Sequence, residues 1–500
     1  MNSRQALQQR LTGLESHLRS ENPVLLPIIP TFRDFDRVLC KLGLLKNDES
    51  LATRIPWWPM IAVLGTFSSG KSTFINSYLQ APLQSTGNQA VDDKFTVVCY
   101  GADTRHEALP GTALNADPRF PFYRISDEIE KVAAGEGKRI DSYLQLKTLA
   151  SERIRGKILI DSPGFDADDQ RRSILRLTDH IIDLSDLVLV FFDARHPEPG
   201  AMQDTLRLLV SKTVRRADAR KFLYILNQID TTAKEDNAEA VFGAWQRSVA
   251  GAGLVSGRFY GIYDRASAGV IEDEAKRARY EQKCATDLTE IYGRIAEVEI
   301  GRGYRIVGML DSIAKEVEGE LIPVVQTAIA RWRRRVLWGD ALWLALLLGA
   351  IGGVVYAAGT DSVPPFLTWL MEWQPAWLAG LPVRAVAALL LLLGLFGAGH
   401  LWIRRLMARG IAGKLPERMG EADLNPRNAF LKNTGLFRSI LSSSPVGWGR
   451  GARKRIFAIR EAVAAHVQRL NDIHTDPAGR RKPDAAPAPA AGETTNAPIA

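Results

Sequence analysis

Leu7, Leu11, Leu14 and Leu18 recur at intervals of three and four residues, the stripe of an amphipathic helix. A second helix is expected over 31–45, with Asp34 and Asp36 in its early turns, and Ile55-Pro56-Trp57-Trp58-Pro59 breaks the pattern. Five short apolar runs follow, at 60–64, 96–100, 157–160, 187–192 and 222–226. Each has the length of a buried strand, and helical stretches separate several of them. That rhythm predicts an α/β domain, a mainly parallel sheet with helices on both faces. Beyond Asp264 the strand signals fade. Residues 271–337 are charged and rich in Ala, Glu and Arg, and predict one or two long helices with Pro323 marking a kink. Residues 413–475 read as helical again.

Between those helical regions lie two stretches, 341–359 and 385–403, without Asp, Glu, Lys or Arg. As helices each covers roughly 28 Å, close to the thickness of a bilayer's hydrocarbon core. His400 is the one histidine in them, and soluble helices of this length normally carry a polar face. Arg331, Arg333, Arg334 and Arg335 precede the first stretch; Arg404, Arg405 and Arg409 follow the second; Arg384 alone supplies a basic residue between them. The positive-inside rule then predicts a two-helix transmembrane hairpin with both flanks cytoplasmic and the loop outside. Trp369, Trp373 and Trp377, four residues apart in that loop, fit an interfacial helix.

Composition sharpens this picture in three ways. At roughly 150 residues per domain, 500 residues predict two to four units. A mean hydropathy of −0.08 is high beside 64 Lys+Arg and 56 Asp+Glu, so the apolar residues are concentrated in one place. The net charge of +8 favours an anionic partner. Next to a membrane span, the basic residues from Arg404 to Arg460 are assigned to lipid headgroups, and no nucleic-acid module is recognised. Cys40, Cys99 and Cys284 cannot form a disulfide framework or a four-ligand zinc site; reduced, mostly buried thiols are expected. The seven histidines show no metal spacing. No signal peptide is read at the start, although the lack of acids before Glu15 leaves an organellar transit peptide open. The Pro/Ala-rich stretch 476–500 is expected to be disordered. A small secreted disulfide scaffold, a collagen and a wholly disordered chain are excluded.

The candidate chemistry sits between Gly65 and Asp230. Gly65-Thr66-Phe67-Ser68-Ser69-Gly70-Lys71-Ser72 fits GxxxxGK[ST], follows a predicted strand and opens a predicted helix that begins with Thr73. Glycines let the backbone wrap a phosphate, and successive N–H groups form an anion nest at a helix N-terminus. Lys71 would add a point charge on the β- and γ-phosphates, and Ser72 a hydroxyl for Mg²⁺. A second element, Asp161-Ser162-Pro163-Gly164, ends a strand; Asp161 can hold the magnesium shell and Gly164 can offer its N–H to a γ-phosphate. The third is Asn227-Gln228-Ile229-Asp230, which resembles a guanine-reading [NT]KxD motif with Gln228 in place of lysine. A carboxylate at Asp230 can accept from guanine N1–H and its exocyclic amine, donors that adenine lacks there. Asp166, Asp168 and Asp169 are read as part of a solvated switch.

The run GTFSSGKSTFINSYL resembles the dynamin superfamily of large GTPases, in look nearest the EH-domain branch and the bacterial dynamin-like proteins. GNQAVDDKF (87–95) resembles the branch's first switch, IDSPG with Gln170-Arg171 its second, and Phe191-Phe192-Asp193-Ala194 and LNQID later landmarks. The resemblance covers about 56–265. It implies a P-loop GTPase domain using Mg²⁺, catalytic roles for Lys71 and Ser68, and a nucleotide site of Gly65, Phe67, Ser68, Ser69, Gly70, Lys71, Ser72, Thr73, Asp161, Gly164, Asn227 and Asp230, with Ser72 and Asp161 toward the metal. The sequence departs from the family at the switch threonine, where Val91 or Asp92 aligns with Thr86 and Thr96 out of register, and at Phe67, where dynamins proper carry glutamine. The expected layout is an α-helical stalk over 1–55, the GTPase domain over 56–268, more stalk over 269–335, the hairpin over 336–404, basic stalk helices over 405–475 and the tail. Expected partners are GTP, a lipid bilayer and further copies of the chain, with the termini and GTPase domain on the cytoplasmic side of a bacterial inner membrane. A membrane-anchored switch that recruits partners, an ATP-using hydrolase like the EH-domain branch, and a nucleotide-binding scaffold remain open alternatives.

Overall fold

The computed structural model describes residues 3–66, 68–85, 94–102, 108–120, 140–164, 171–195, 219–234, 237–251, 257–266, 268–269, 271–358, 383–435, 438–442 and 444–475. Phe67, Thr86, Val91, Asp92, Asp166, Asp168, Asp169, Gln170, the loop tryptophans 369, 373 and 377, and the tail 476–500 lie outside them. The chain divides into two units, Met1–Ile29 with Ala52–Gly308 and Ala465–Ala500, and Pro30–Leu51 with Met309–Ala464.

The five apolar runs are all strands of the first unit, each carried slightly beyond the run: β1 Met60–Gly65, β2 Phe95–Tyr100, β5 Ile158–Asp161, β6 Leu187–Asp193 and β7 Phe222–Asn227. Three further strands, β3 Ala108–Pro110, β4 Leu144–Leu149 and β8 Arg258–Gly261, complete a sheet of order β3-β4-β2-β5-β1-β6-β7-β8. The pairings β1–β5, β1–β6, β2–β4, β6–β7 and β7–β8 are parallel, whereas β2–β5 and β3–β4 are antiparallel. The centre of the sheet is covered on both sides. Phe191 and Phe192 are neighbours on β6 and so point to opposite faces. Phe191 meets Phe74 of α3 (Lys71–Leu79) at 5.0 Å between ring centroids, and Phe192 meets Trp245 of the helix Ala238–Gly251 at 5.2 Å.

The N-terminal stripe forms α1 (Ser3–Glu21), with Leu11, Leu14 and Leu18 buried. Its last residue anchors it. Glu21 is buried, accepts from Trp58 Nε1 at 2.9 Å and pairs with Arg119 at 3.2 Å. Arg119 in turn pairs with Asp117 at 2.7 Å and donates to the Tyr100 carbonyl at 2.7 Å. A buried carboxylate is tolerated because every donor reaching it is in place; removing one partner of such a pair costs about 3–5 kcal/mol. No disulfide joins the cysteines, and burial pushes the Cys99 thiol up to about 12.

In the second unit, α2 runs over Ile29–Leu42, shorter than the expected 31–45. Gly43 ends it at φ +81°, the left-handed conformation of a helix C-terminus. Its end is joined to the helix Pro426–Asn433: Asn428 Nδ2 donates to Gly43 O at 2.8 Å and Lys432 Nζ to Cys40 O at 2.9 Å. Where a kink is expected, the helix changes type just ahead of Pro323. The helix Glu274–Glu316 passes into a π-turn at Val317–Leu321, and an α-helix resumes over Ile322–Ala358. The π-turn directly before Pro323 accommodates a residue that has no N–H to give the preceding turn. The helical reading of 413–475 resolves into helices at Pro426–Asn433 and Arg450–Thr475, separated by irregular backbone in which Gly420 and Gly447 adopt left-handed φ.

The two apolar stretches lie in Ile322–Ala358 and Val383–Ala412. Both helices are long and apolar enough to cross a membrane, and only 6% and 11% of their most apolar windows are buried. They pack against each other near one end. Trp332 Nε1 donates to Arg404 O at 3.2 Å, Asp340 meets His400 at 2.8 Å and Trp343 Nε1 donates to Leu395 O at 3.4 Å. The connecting residues 359–382 lie outside the described structure.

Candidate functional site

β1 delivers the chain to Gly65 in the middle of the sheet, and α3 begins six residues later at Lys71. The turn between them needs unusual backbone. Ser68 adopts φ +57° and Gly70 φ +84°. At Gly70 a Cβ would sit 2.0 Å from Asn227 Nδ2, and at Gly65 it would sit 2.7 Å from Ser69 Oγ, so both glycines are sterically required. Lys71 is buried across the mouth of the loop, its Nζ 2.9 Å from both the Gly65 and Thr66 carbonyls. Ser69 Oγ ties the turn to Thr66 O at 2.8 Å. Ser72 and Thr73 follow, half-buried, in the first turn of α3, where the backbone N–H groups have no intrahelical acceptor.

Asp161 ends the neighbouring strand β5. It is opposite Val63 of β1 in the parallel register and opposite Thr96 of β2 in the antiparallel one. Ser162 N donates to Val63 O at 3.0 Å, which holds the Asp161–Gly164 turn beside the β1 end; Gly164 is half-buried there. An alcohol at Ser72 and a carboxylate at Asp161 are oxygen donors, a set that suits a hard cation such as magnesium, which takes one or two protein oxygens and fills the rest with water and phosphate. Among the described residues no three His, Cys, Asp or Glu converge on a point.

β7 brings the third element. Asn227 is buried and its Nδ2 donates to Ser69 O at 2.9 Å; Gln228, turned back at φ +64°, donates from Nε2 to Ser68 O at 2.8 Å. Two side-chain amides therefore fasten this loop to the phosphate-type loop. Asp230 is half-buried, with Gly269 N 3.2 Å from its Oδ2, and burial holds its carboxyl above its ordinary 3.8. Of the residues singled out from sequence, Gly65, Ser68, Ser69, Gly70, Lys71 and Asn227 are brought into direct contact; Asp161 and Gly164 lie on the adjacent strand end, and Asp230 stands three residues beyond Asn227.

Sequence reasoning passed over Gln84, Lys147 and Asn76. Gln84 is buried after α3 and donates from Nε2 to Asp161 Oδ2 at 2.6 Å, while Lys147 Nζ donates to Gln84 Oε1 at 2.6 Å. Asn76 of α3 accepts from Leu83 N at 3.0 Å and Gln84 N at 2.8 Å and donates to Gln84 O at 2.8 Å. A glutamine between Leu83 and Ser85 carries no motif, and with Gln80 and Ser85 nearby it does not stand out from its neighbours.

With this geometry in place, comparison with known proteins is informative. The model of the Dynamin family matches residues 61–229, the span from β1 through the Asn227 loop. That span is about a third of the chain. The chain is 25% identical over 179 residues to EH domain-containing protein 1 of Arabidopsis thaliana, covering 34% of this chain and 30% of that one. It is 24% identical over 143 residues to the Homo sapiens EH domain-containing protein 1, covering 27% and 25%. The match thus spans less than a third of these relatives' length. Among solved structures, an oligomerised bacterial dynamin pair described as sensing and tethering membranes is 14% identical, with 83% of this chain and 61% of that chain covered and a TM-score of 0.31. The bacterial dynamin GTPase LeoA from ETEC is 12% identical, with 95% and 90% covered and a TM-score of 0.27. Scores this low carry no argument about the arrangement of the whole chain.

Proposed function

We propose that the chain is a membrane-anchored dynamin-like GTPase that hydrolyses GTP to GDP and phosphate and couples its nucleotide state to self-assembly and to remodelling or tethering of membrane. One observation carries the nucleotide part: the side-chain amides of Asn227 and Gln228 bond to the carbonyls of Ser69 and Ser68. A loop that ends in a base-reading carboxylate, Asp230, is thereby fastened to a loop built to wrap phosphates. The N–H groups from Ser68 to Thr73 cradle the phosphates, and Lys71 and Ser68 face the transferring group, where fixed donors stabilise charge that develops as water attacks. Gly164 reports the γ-phosphate. Magnesium, held by Ser72 and the Asp161 shell, would neutralise charge shared between the β- and γ-phosphates. A site built for guanine's N–H donors rejects adenine by leaving the half-buried Asp230 without them.

The anchoring part is supported by the exposed apolar helices over 341–358 and 385–403 and by the arginines beside them at one end of the pair. By the positive-inside rule those arginines support a reading in which the termini and the nucleotide domain are cytoplasmic, and the membrane we propose is a bacterial inner membrane. Self-assembly rests on the family match alone.

Binding of a fluorescent GTP analogue to purified protein, competed with GTP and with ATP, tests the reading. GTP is expected to compete at far lower concentration than ATP, Asp230→Asn to narrow the gap, and Lys71→Ala to weaken binding by at least 100-fold with helical content unchanged. Equal competition by the two nucleotides in wild type, unmoved by Asp230→Asn, would replace guanine reading by general triphosphate hydrolysis. Unaltered binding in Lys71→Ala would remove the loop from the function.

A further inference from the structure

We infer that Gln84 is a positioning residue for the magnesium-side carboxylate, Asp161, and that Lys147 and Asn76 lock it in that task; the inference rests on the nucleotide reading above. The chemistry of the three groups leaves the amide one orientation. Lysine ammonium can only donate and an ionised carboxylate can only accept. Gln84 stands between them with both contacts at 2.6 Å, so its oxygen must face Lys147 and its nitrogen Asp161. The backbone of Gln84 is equally fixed, because Asn76 makes bonds to its N–H and its carbonyl. Asn76 belongs to α3, the helix whose first turn carries Lys71 and Ser72. A rigid path therefore runs from the phosphate-loop helix, through Asn76 and Gln84, to one oxygen of Asp161.

The amide has an electrostatic consequence that a direct ion pair would lack. A lysine bonded to Asp161 would oppose a bound cation with a full positive charge. Gln84 passes on the orientation set by Lys147 while presenting to Asp161 only an N–H dipole. The carboxylate keeps its charge for the metal shell and loses its freedom to rotate. Partners of this kind around a metal-side carboxylate set metal affinity, and their loss typically costs about 10–100-fold.

The test is magnesium dependence of binding, read by fluorescence of a bound GTP analogue in full-length protein, with free magnesium set by a chelator buffer. Gln84→Met keeps the shape and removes both hydrogen bonds. It is expected to raise the half-saturating magnesium concentration about 10–100-fold, while affinity for the nucleotide in excess EDTA stays within about twofold of wild type. Lys147→Met, which leaves the Gln84 amide in place but free to rotate, is expected to shift the magnesium midpoint in the same direction by less, and it carries the test if Gln84→Met does not fold. An unshifted magnesium midpoint in either folded variant overturns the inference. So does an equal loss of affinity with and without magnesium, which would make Gln84 a plain structural support. Wild-type protein that binds no nucleotide at any magnesium concentration would instead sink the nucleotide reading itself.

Discussion

Desolvation holds the Asp230 carboxyl above its ordinary 3.8, while the Gly269 amide pulls it the other way. A raised carboxylate pKa means that the fold prefers the protonated form. Stability is therefore greatest below the unfolded value and falls as pH rises through the folded one, where the ionised group must be buried. Guanine bound as proposed would reverse the preference, since its N–H donors need the ionised acceptor. Affinity for GTP should rise with pH across the range just above the ordinary carboxylate value and then level off, and Asp230→Asn should flatten that rise. Isothermal titration between pH 4.5 and 7.5 measures it; a profile that keeps its slope in the variant would assign the titration to another group. Single residues differ sharply in how legible they are. Lys71 and Asp161 stand out because their spacing from glycines is that of a phosphate-binding motif. Gln84 does not, because its partners, Lys147 and Asp161, are 63 and 77 residues away and meet it only through the sheet.

Among the elements, the strands found from sequence are those buried on both faces, which read as unbroken apolar runs. β4 escaped notice because its half-buried Gln145 and Lys147 alternate with buried leucines, and β3 and β8 because they are short and partly exposed at the sheet's edges. The apolar hairpin helices were evident from composition, yet their crossing was not. Gly399 permits it: a Cβ there would sit 2.1 Å from Trp343 Nε1, and Gly339 is similarly close to Ile403. In the proposed lipid setting, close approach at small residues would let such helices pack without a hydrophobic driving force between them. Gly399→Leu should push Trp343 out and separate Asp340 from His400. A cysteine pair replacing Asp340 and His400 should oxidise readily in the parent and fail to do so once Gly399→Leu is added; a persistent cross-link would show that the crossing does not depend on the glycine.

For the whole molecule, the assignment of chain segments to units is the feature least readable in advance, because it depends on which distant stretches bury one another. Neither unit is continuous: the nucleotide-bearing unit takes in Met1–Ile29, Ala52–Gly308 and the chain from Ala465, and the other takes Pro30–Leu51 and Met309–Ala464. In the first, Leu470 is buried beside Gly303 and Asn471 accepts from Tyr304 Oη at 2.7 Å. Synthesis runs from the N-terminus, so the order in which these pieces leave the ribosome matters. Everything that forms the candidate nucleotide loops has emerged by residue 269, but the element carrying Leu470 follows only after the apolar stretches 341–359 and 385–403. On the proposed anchoring, a nascent chain would meet the bilayer while the unit holding that site still lacks its last piece, and the unit would close only after delivery to the membrane. Leu470→Ala should lower the stability of that unit by about 2–5 kcal/mol with every nucleotide contact left intact. Membrane-inserted chains stopped after residue 464 should remain open to protease within 52–308, whereas chains completed beyond 475 should resist it; equal resistance in the two would mean that the nucleotide unit closes before the anchor is made.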